Sequence, residues 1–531
     1  MRPIVLHQVA GTRSRFYLGK QKGSLELIEN DHLEFHYAAR DGSWIPLPVG
    51  QRIDLALLAP TEGLLCVRAE RAGHNTALLR YRDAAGIADD LQVDFFAYRL
   101  CLNFPTGDGK TGEEPFDKAH WVWGQKQPGA ILLVNCIEQR SDYLTNCTAH
   151  QERMNLLTPL RVEPVGIDSP PAEISLVLHA TPRAAQRFSV YRKDAAGNLE
   201  LVLGADSLQR PIAPISTSEP LNPQGEDLFV EALQFPGAEF EGLISLELHL
   251  VLSTNQTLLA AGELLKPIAG RLDAYETETV RVETVSAHDQ ILGVDTALMR
   301  AAPWIMTPNT LPAEKVYVSF ITSPEISTQP FVEKLEAACR EADVPLRELS
   351  QEECGETPFI QDLVSFGYSR KPDFTLPIAC GSPVRGLLRN LELLDPDLGL
   401  IRMSGNPEST LDSFGNLEVS PPVTVGGKSY PLGRILFGGH GYGDFPGERE
   451  IMPMLRSFLY AQKVQSPFEI YTDWLEVGHA DEILIFVPAE TPKGFRLLLA
   501  SPALAHAILQ RVQEAGKGDT ILFNRGSVIN S

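Results

Sequence analysis

The residues of this chain best suited to moving a proton lie in Asp473-Trp474-Leu475-Glu476-Val477-Gly478-His479-Ala480-Asp481-Glu482, which runs straight into the apolar stretch Ile483 to Val487. If His479 and Asp481 are already extended, their i, i+2 spacing points both side chains to one face. Imidazole titrates near neutral pH, and an adjacent carboxylate raises its pKa and fixes its tautomer, so the pair would form an acid/base unit. The same two residues also read as a surface His and Asp capping a strand end. Asp362, in Phe359-Ile360-Gln361-Asp362 ahead of Phe366-Gly367-Tyr368, is by itself an ordinary loop aspartate. Gly438-Gly439-His440-Gly441-Tyr442-Gly443 matches neither GxGxxG nor the P-loop pattern and reads as a flexible loop. The seven cysteines include no CxxC pair, which argues against a disulfide framework and a zinc site and for a reducing compartment. Cys380, in the apolar run after Leu376, reads as a buried structural thiol.

The elements that must position these groups are mixed. A chain of 531 residues has room for about three domains. From the N-terminus to about Phe116, short alternating runs such as Leu91 to Leu102 are cut by turn residues, an all-β pattern. A second β-rich stretch holds Ala130 to Cys136, Glu173 to His179, Leu228 to Leu233 and Gly242 to Leu252. Two successive β-sandwiches fit this spacing. Beyond about Thr296 helical periodicity appears between strands: Phe331, Val332, Leu335, Ala338, Cys339 and Ala342 share a face. A second helix starts at the Ser501 N-cap with Pro502 at N1, carries Leu504, Ala507, Ile508 and Val512 on one side, and stops at Gly516. Strands are expected at Val316 to Ile321, Gly433 to Phe437, Glu482 to Val487 and Phe495 to Ala500.

A net charge of -22 repels phosphate backbones and anionic lipid, so neither nucleic acid nor a membrane is an expected partner. No apolar stretch approaches a membrane span, and the N-terminus has no signal-like core. The expectation is a soluble, cytoplasmic protein.

Several long segments resemble the protein-arginine deiminase family. They are Ala302-Pro303-Trp304-Ile305-Met306-Thr307-Pro308-Asn309-Thr310, Leu411 through Val425, Tyr430 through Gly438, Tyr471-Thr472-Asp473-Trp474 through His479, and Lys493 through Pro502. Upstream, Gly129 through Cys136 and Val230-Glu231-Ala232-Leu233 resemble the family's middle domain. The resemblance implies two N-terminal immunoglobulin-like sandwich domains, at 1–112 and 113–294, and an α/β pentein catalytic domain of ββαβ modules at 295–531, incomplete at its C-terminus. The implied reaction converts peptidyl arginine to citrulline with release of ammonia.

A planar guanidinium with five N–H donors suits flanking carboxylates. By resemblance Asp362 and Asp481 are those carboxylates, His479 is the general acid/base, Arg385 contacts the substrate backbone, and Phe359 stacks on the substrate stem where the family usually has tryptophan. The family's nucleophile is a cysteine in a final segment, whereas no cysteine of this chain lies beyond Cys380. The resemblance also implies calcium, with Gln361, Phe414, Leu417 and Glu418 matching one site. Ser365 stands there for a glutamate, Leu363 and Gly381 for acidic ligands of a neighbouring site, and Ile137 and Gln139 for aspartates of the middle domain beside a retained Asn135. Implied partners are arginine-containing proteins and a second copy in a homodimer. Three readings stay open: a deiminase or a fragment of one, a non-catalytic arginine-binding scaffold, and an enzyme acting on free arginine.

Overall fold

The computed structural model describes residues 4–16, 22–58, 65–104, 130–136, 154–205, 216–217, 219–253, 289–323, 326–355, 357–384, 398–403, 409–440 and 448–520.

The N-terminal stretch folds as two antiparallel-rich sheets over one core. One has the strand order Ile4–Val9, Ala88–Tyr98, Gly73–Arg82, Ser24–Asn30, Arg52–Asp54; the other has Arg13–Phe16, Leu65–Ala69, Leu33–Ala38, Trp44–Pro46. Strict alternation in Gly73–Arg82 sends Ala77 and Leu79 inward. They meet Leu25, Leu27, Phe35, Val67 and Phe95 from both sheets. Each large apolar side chain so buried contributes about 1.5–3 kcal/mol.

The middle stretch repeats the arrangement. Leu102–Asn103, Thr158–Val162, Glu226–Ala232, Phe188–Lys193 and Leu199–Gly204 form one sheet, and Ala130–Leu132, Asp289–Ala301, Leu243–Ser253 and Ile174–His179 the other. Phe188, Val230, Leu246, Leu248 and Met299 close the core between them. The strand Asp289–Ala301 crosses position 294 and pairs with Leu243–Ser253 as far as Arg300, so its ladder belongs to this sheet throughout.

Beyond Ala301 the sheets become small and helices appear among them. Ile305–Met306, Val364–Lys371, Phe374–Gly381 and Gly399–Arg402 form one sheet; Leu417–Val419, Ile435–Gly439 and Phe468–Tyr471 another. The helix expected from Phe331 spans Gln329–Glu341 and buries Val332 and Cys339. A shared cluster with Trp304, Phe414, Phe437, Leu455 and Phe458 at its centre also takes in Leu133 and Cys136 of the middle stretch. Gln462 reinforces that junction by accepting from Trp304 N at 2.9 Å and donating to Pro236 O at 2.9 Å.

Two expectations change. Gly438 and Gly439 belong to the buried strand Ile435–Gly439 rather than to a flexible loop. A Cβ on Gly438 would collide with Thr472 Oγ1 and Asn416 Oδ1, so close approach of neighbours is what requires glycine there; residues 441–443 lie outside the described residues. The helix Pro502–Val512 is capped as expected, with Ser501 Oγ accepting from Leu504 N at 3.2 Å. Its apolar side, however, carries no buried residue. No helix is long and apolar enough to cross a membrane.

Candidate functional site

Three groups far apart in sequence meet at one glycine. A Cβ built on Gly415 would lie 2.6 Å from Asp362 Oδ1, 2.7 Å from His479 Nδ1 and 2.9 Å from Asp481 Oδ2. The two carboxylates and the imidazole therefore face the same small space, which the missing side chain leaves open. Nδ1 of His479 is 3.5 Å from Asp362 Oδ1.

Each group has a local reason for its place. Asp362 lies in a single helical turn, Ile360–Leu363, that leads directly into the strand Val364–Lys371. The Gly415 N–H donates to its carboxylate. His479 is buried, at 6% exposure, and its Nε2 lies 2.8 Å from the carbonyl of Thr410. A carbonyl only accepts, so Nε2 carries a proton, and Nδ1 is the ring nitrogen turned toward the carboxylates. Asp481 sits in the turn before the strand Leu484–Pro488, not in the strand itself. The extended i, i+2 geometry is thus replaced by a turn, whose hydrogen bonds run from Ile483 N and Leu484 N to Ala480 O. Convergence survives because Asp481 N donates to Gly415 O at 3.2 Å and Ala480 N to Asn416 Oδ1 at 3.1 Å. Asn416 is the hub: its Oδ1 also accepts from Gly438 N, while its Nδ2 donates to Leu411 O and Gly438 O.

Burial sets the electrostatics. Desolvation lifts the Asp362 carboxyl above its usual range, opposed by His479 and the Gly415 N–H and reinforced by Glu482. The same desolvation, with Asp362 and Glu482 adding repulsion and His479 opposing, pushes Asp481 up to about 6, although its outer side is open to solvent. Two carboxylates unwilling to be charged together are poised for a cation placed between them. A bifurcated N–H donor such as guanidinium satisfies both at once.

Phe359 is the N-cap of the same turn as Asp362 and is 65% exposed, free to stack on a ligand stem. Arg385 lies outside the described residues. Cys380 is buried in the apolar cluster that also holds Leu411 and Phe414, and burial raises its thiol far above the ordinary range, so it is no thiolate source.

Of the residues expected to hold calcium, Gln361 donates its amide to Glu418 at 3.4 Å, and Phe414 and Leu417 are buried side chains whose carbonyls alone could serve. Desolvation pushes Glu418 up to about 7. One reluctant carboxylate, two backbone carbonyls and one amide that presents its NH2 fall short of the 6–8 oxygens calcium takes. Among the described residues no three His, Cys, Asp or Glu side chains gather to hold a metal. The described residues do not fit the ion as a cage. Asn135 is described and buried, its N–H donating to Ala232 O at 2.8 Å, while 137 and 139 lie outside the described residues.

Sequence reasoning passed over Gly415, Asn416, Thr410, Arg449 and Glu482. Only Gly415-Asn416 carried a local signal, as a polar turn inside an apolar stretch.

Residues 291–530 match the family described as protein-arginine deiminase, and residues 101–252 match its middle domain. The chain is 37% identical over 432 residues to human protein-arginine deiminase type-3, covering 78% of this chain and 59% of the relative. It is 33% identical over 503 residues to mouse protein-arginine deiminase type-1, covering 92% and 69%. With human protein-arginine deiminase type-4 it shares 34% identity over 442 residues, covering 80% and 60%. The chain spans about three fifths of the length of most curated relatives it matches.

Proposed function

This chain belongs to the protein-arginine deiminase family, and on that premise we propose that it captures the guanidinium of an arginine side chain in a polypeptide between Asp362 and Asp481. The observation that carries the reading is the meeting of Asp362, His479 and Asp481 beside the bare Cα of Gly415. The planar cation offers N–H donors on both sides, and the carboxylates accept them in charge-assisted hydrogen bonds worth about 1.5–3 kcal/mol each. His479, with Nδ1 facing the space between the carboxylates, is placed to exchange a proton with an incoming nucleophile and a departing nitrogen. Phe359 covers the aliphatic stem. The small sheets and helices after Ala301 support the pentein assignment, and the two upstream double-sheet domains support the immunoglobulin-like one.

The net reaction replaces one guanidinium nitrogen by a water oxygen, leaving citrulline and ammonium. It needs a nucleophile, and the thiol of Cys380 is too buried to serve. We therefore assign the described residues the binding and proton-transfer half of deimination. Calcium enters no step of this reading.

Calorimetry with benzoyl-arginine amide, alongside citrulline measurement on an arginine-containing peptide and on free arginine, tests the proposal. Binding of the amide that is abolished by Asp362→Asn with Asp481→Asn supports it; a folded protein that ignores the amide at millimolar concentration refutes it. Retained binding without citrulline selects the scaffold reading, which the buried Cys380 favours.

A further inference from the structure

The fold holds a guanidinium of its own next to the site. Arg449 places Nε on the carboxylate of Asp473, Nη1 within 3.3 Å of Thr410 Oγ1, 3.0 Å of Glu476 O and 3.1 Å of Val477 O, and Nη2 within 3.2 Å of Asp473 O and 2.6 Å of Leu475 O. Its backbone N–H donates to Asp473 Oδ2 at 3.1 Å. One side chain thus gathers four carbonyls of the loop 473–477 around a carboxylate that is 4% exposed.

What this loop delivers is His479. After Val477 comes Gly478, at φ +91°, where a Cβ would lie 2.8 Å from Leu411 Cδ2 and 3.3 Å from Arg449 Nη2. The chain thus passes against the guanidinium in a left-handed conformation that glycine alone adopts cheaply. The next residue is His479, whose Nε2 is held by Thr410 O. Thr410 is tied to the same assembly, since its Oγ1 donates to Val477 O at 2.5 Å. Arg449 therefore touches both things that fix the imidazole: the backbone that carries it and the residue whose carbonyl selects its tautomer.

We propose that Arg449 is the positioning residue that seats His479 with its proton on Nε2 and Nδ1 facing Asp362 and Asp481. This deepens the guanidinium-binding reading and rests on it for its functional meaning, though not for its geometry. Arginine is required because its planar fork reaches several carbonyls at once; a lysine ammonium is a point donor with three hydrogens.

The test uses the full chain with 15N-labelled histidine, at a pH raised until the His479 ring shows a single protonated nitrogen. Long-range proton–nitrogen spectra report which ring nitrogen carries the proton, and His479→Gln assigns the signal. The wild type is expected to show the Nε2–H form. Arg449→Lys is expected to mix in the Nδ1–H form and to weaken benzoyl-arginine amide by about tenfold, as misplacement of a reacting group does. Asp473→Asn, which loosens the same clamp from its other end, is expected to act in the same direction. A mere loop staple would lower the melting temperature without altering the tautomer. Folded Arg449→Lys and Asp473→Asn proteins that both keep a single Nε2–H signal overturn the inference. A tautomer change in a protein whose wild type never binds the amide sinks the binding reading and leaves this inference standing.

Discussion

Replacing Gly415 with alanine adds one methyl group at the point where the site converges, and its effect can be worked from the coordinates. The glycine does not occupy the left-handed region, so the backbone accepts alanine without strain. The new carbon would stand 2.6, 2.7 and 2.9 Å from Asp362 Oδ1, His479 Nδ1 and Asp481 Oδ2. Each must recede by roughly half to one ångström to reach ordinary contact. The two carboxylate tips can swing outward while the imidazole held by Thr410 O yields less, so global stability should fall by about 1 kcal/mol. A guanidinium ligand fares worse, because its carboxylates are splayed and its space is filled. Losing two charge-assisted hydrogen bonds at about 1.5 kcal/mol each removes about 3 kcal/mol, roughly a hundredfold in affinity. Calorimetry with benzoyl-arginine amide and thermal unfolding on the same samples check both halves. If Gly415→Ala binds the amide as tightly as wild type while folding normally, the cradle is not where the ligand sits, and the argument from convergence is wrong.

The remaining predictions address charge, rim and metal. Guanidinium needs ionised carboxylates, and Asp481 is raised to about 6 with Asp362 raised in the same direction. Affinity is therefore close to full at about pH 7 and lost as pH falls through about 6. With Asp481 about nine-tenths ionised at pH 7 and about one-tenth at pH 5, binding should weaken at least about tenfold between them. For folding the sign reverses: raised carboxyls disfavour their own ionisation, so these two groups make the folded state more stable, not less, on going from pH 7 to 5. A flat affinity profile over that range contradicts the assignment. Phe359→Ala should weaken the amide by about 1–2 kcal/mol through lost stacking and leave the melting temperature unchanged, since the ring is 65% exposed. Chelating calcium should change amide affinity less than about twofold, because Gln361 and Glu418 already hydrogen-bond to each other. A tenfold loss on adding a chelator would show that the ion assembles the cradle after all.

The strands and helices were largely legible in the sequence because their signals are local. Alternation at Gly242 to Leu252 and helical spacing from Phe331 depend on neighbours a few residues away, and the strand Leu243–Ser253 and helix Gln329–Glu341 follow. The Ser501-Pro502 start was equally readable, whereas the exposure of the helix it begins was not, because an apolar face does not say whether anything covers it. His479 and Asp481 stood out by type and spacing, whereas Asp362 was singled out only through the resemblance to a family. No local rule brings position 362 to 479, and the extended pairing drawn from i, i+2 spacing gives way to a turn pinned by Asn416 and Gly415. The roles of Gly415 and Arg449 depend on what stands across from a bare Cα and on which carbonyls a guanidinium can reach at once. Those are distances between segments separated by tens of residues, and they exist only once the apolar clusters have packed and fixed where each segment lies.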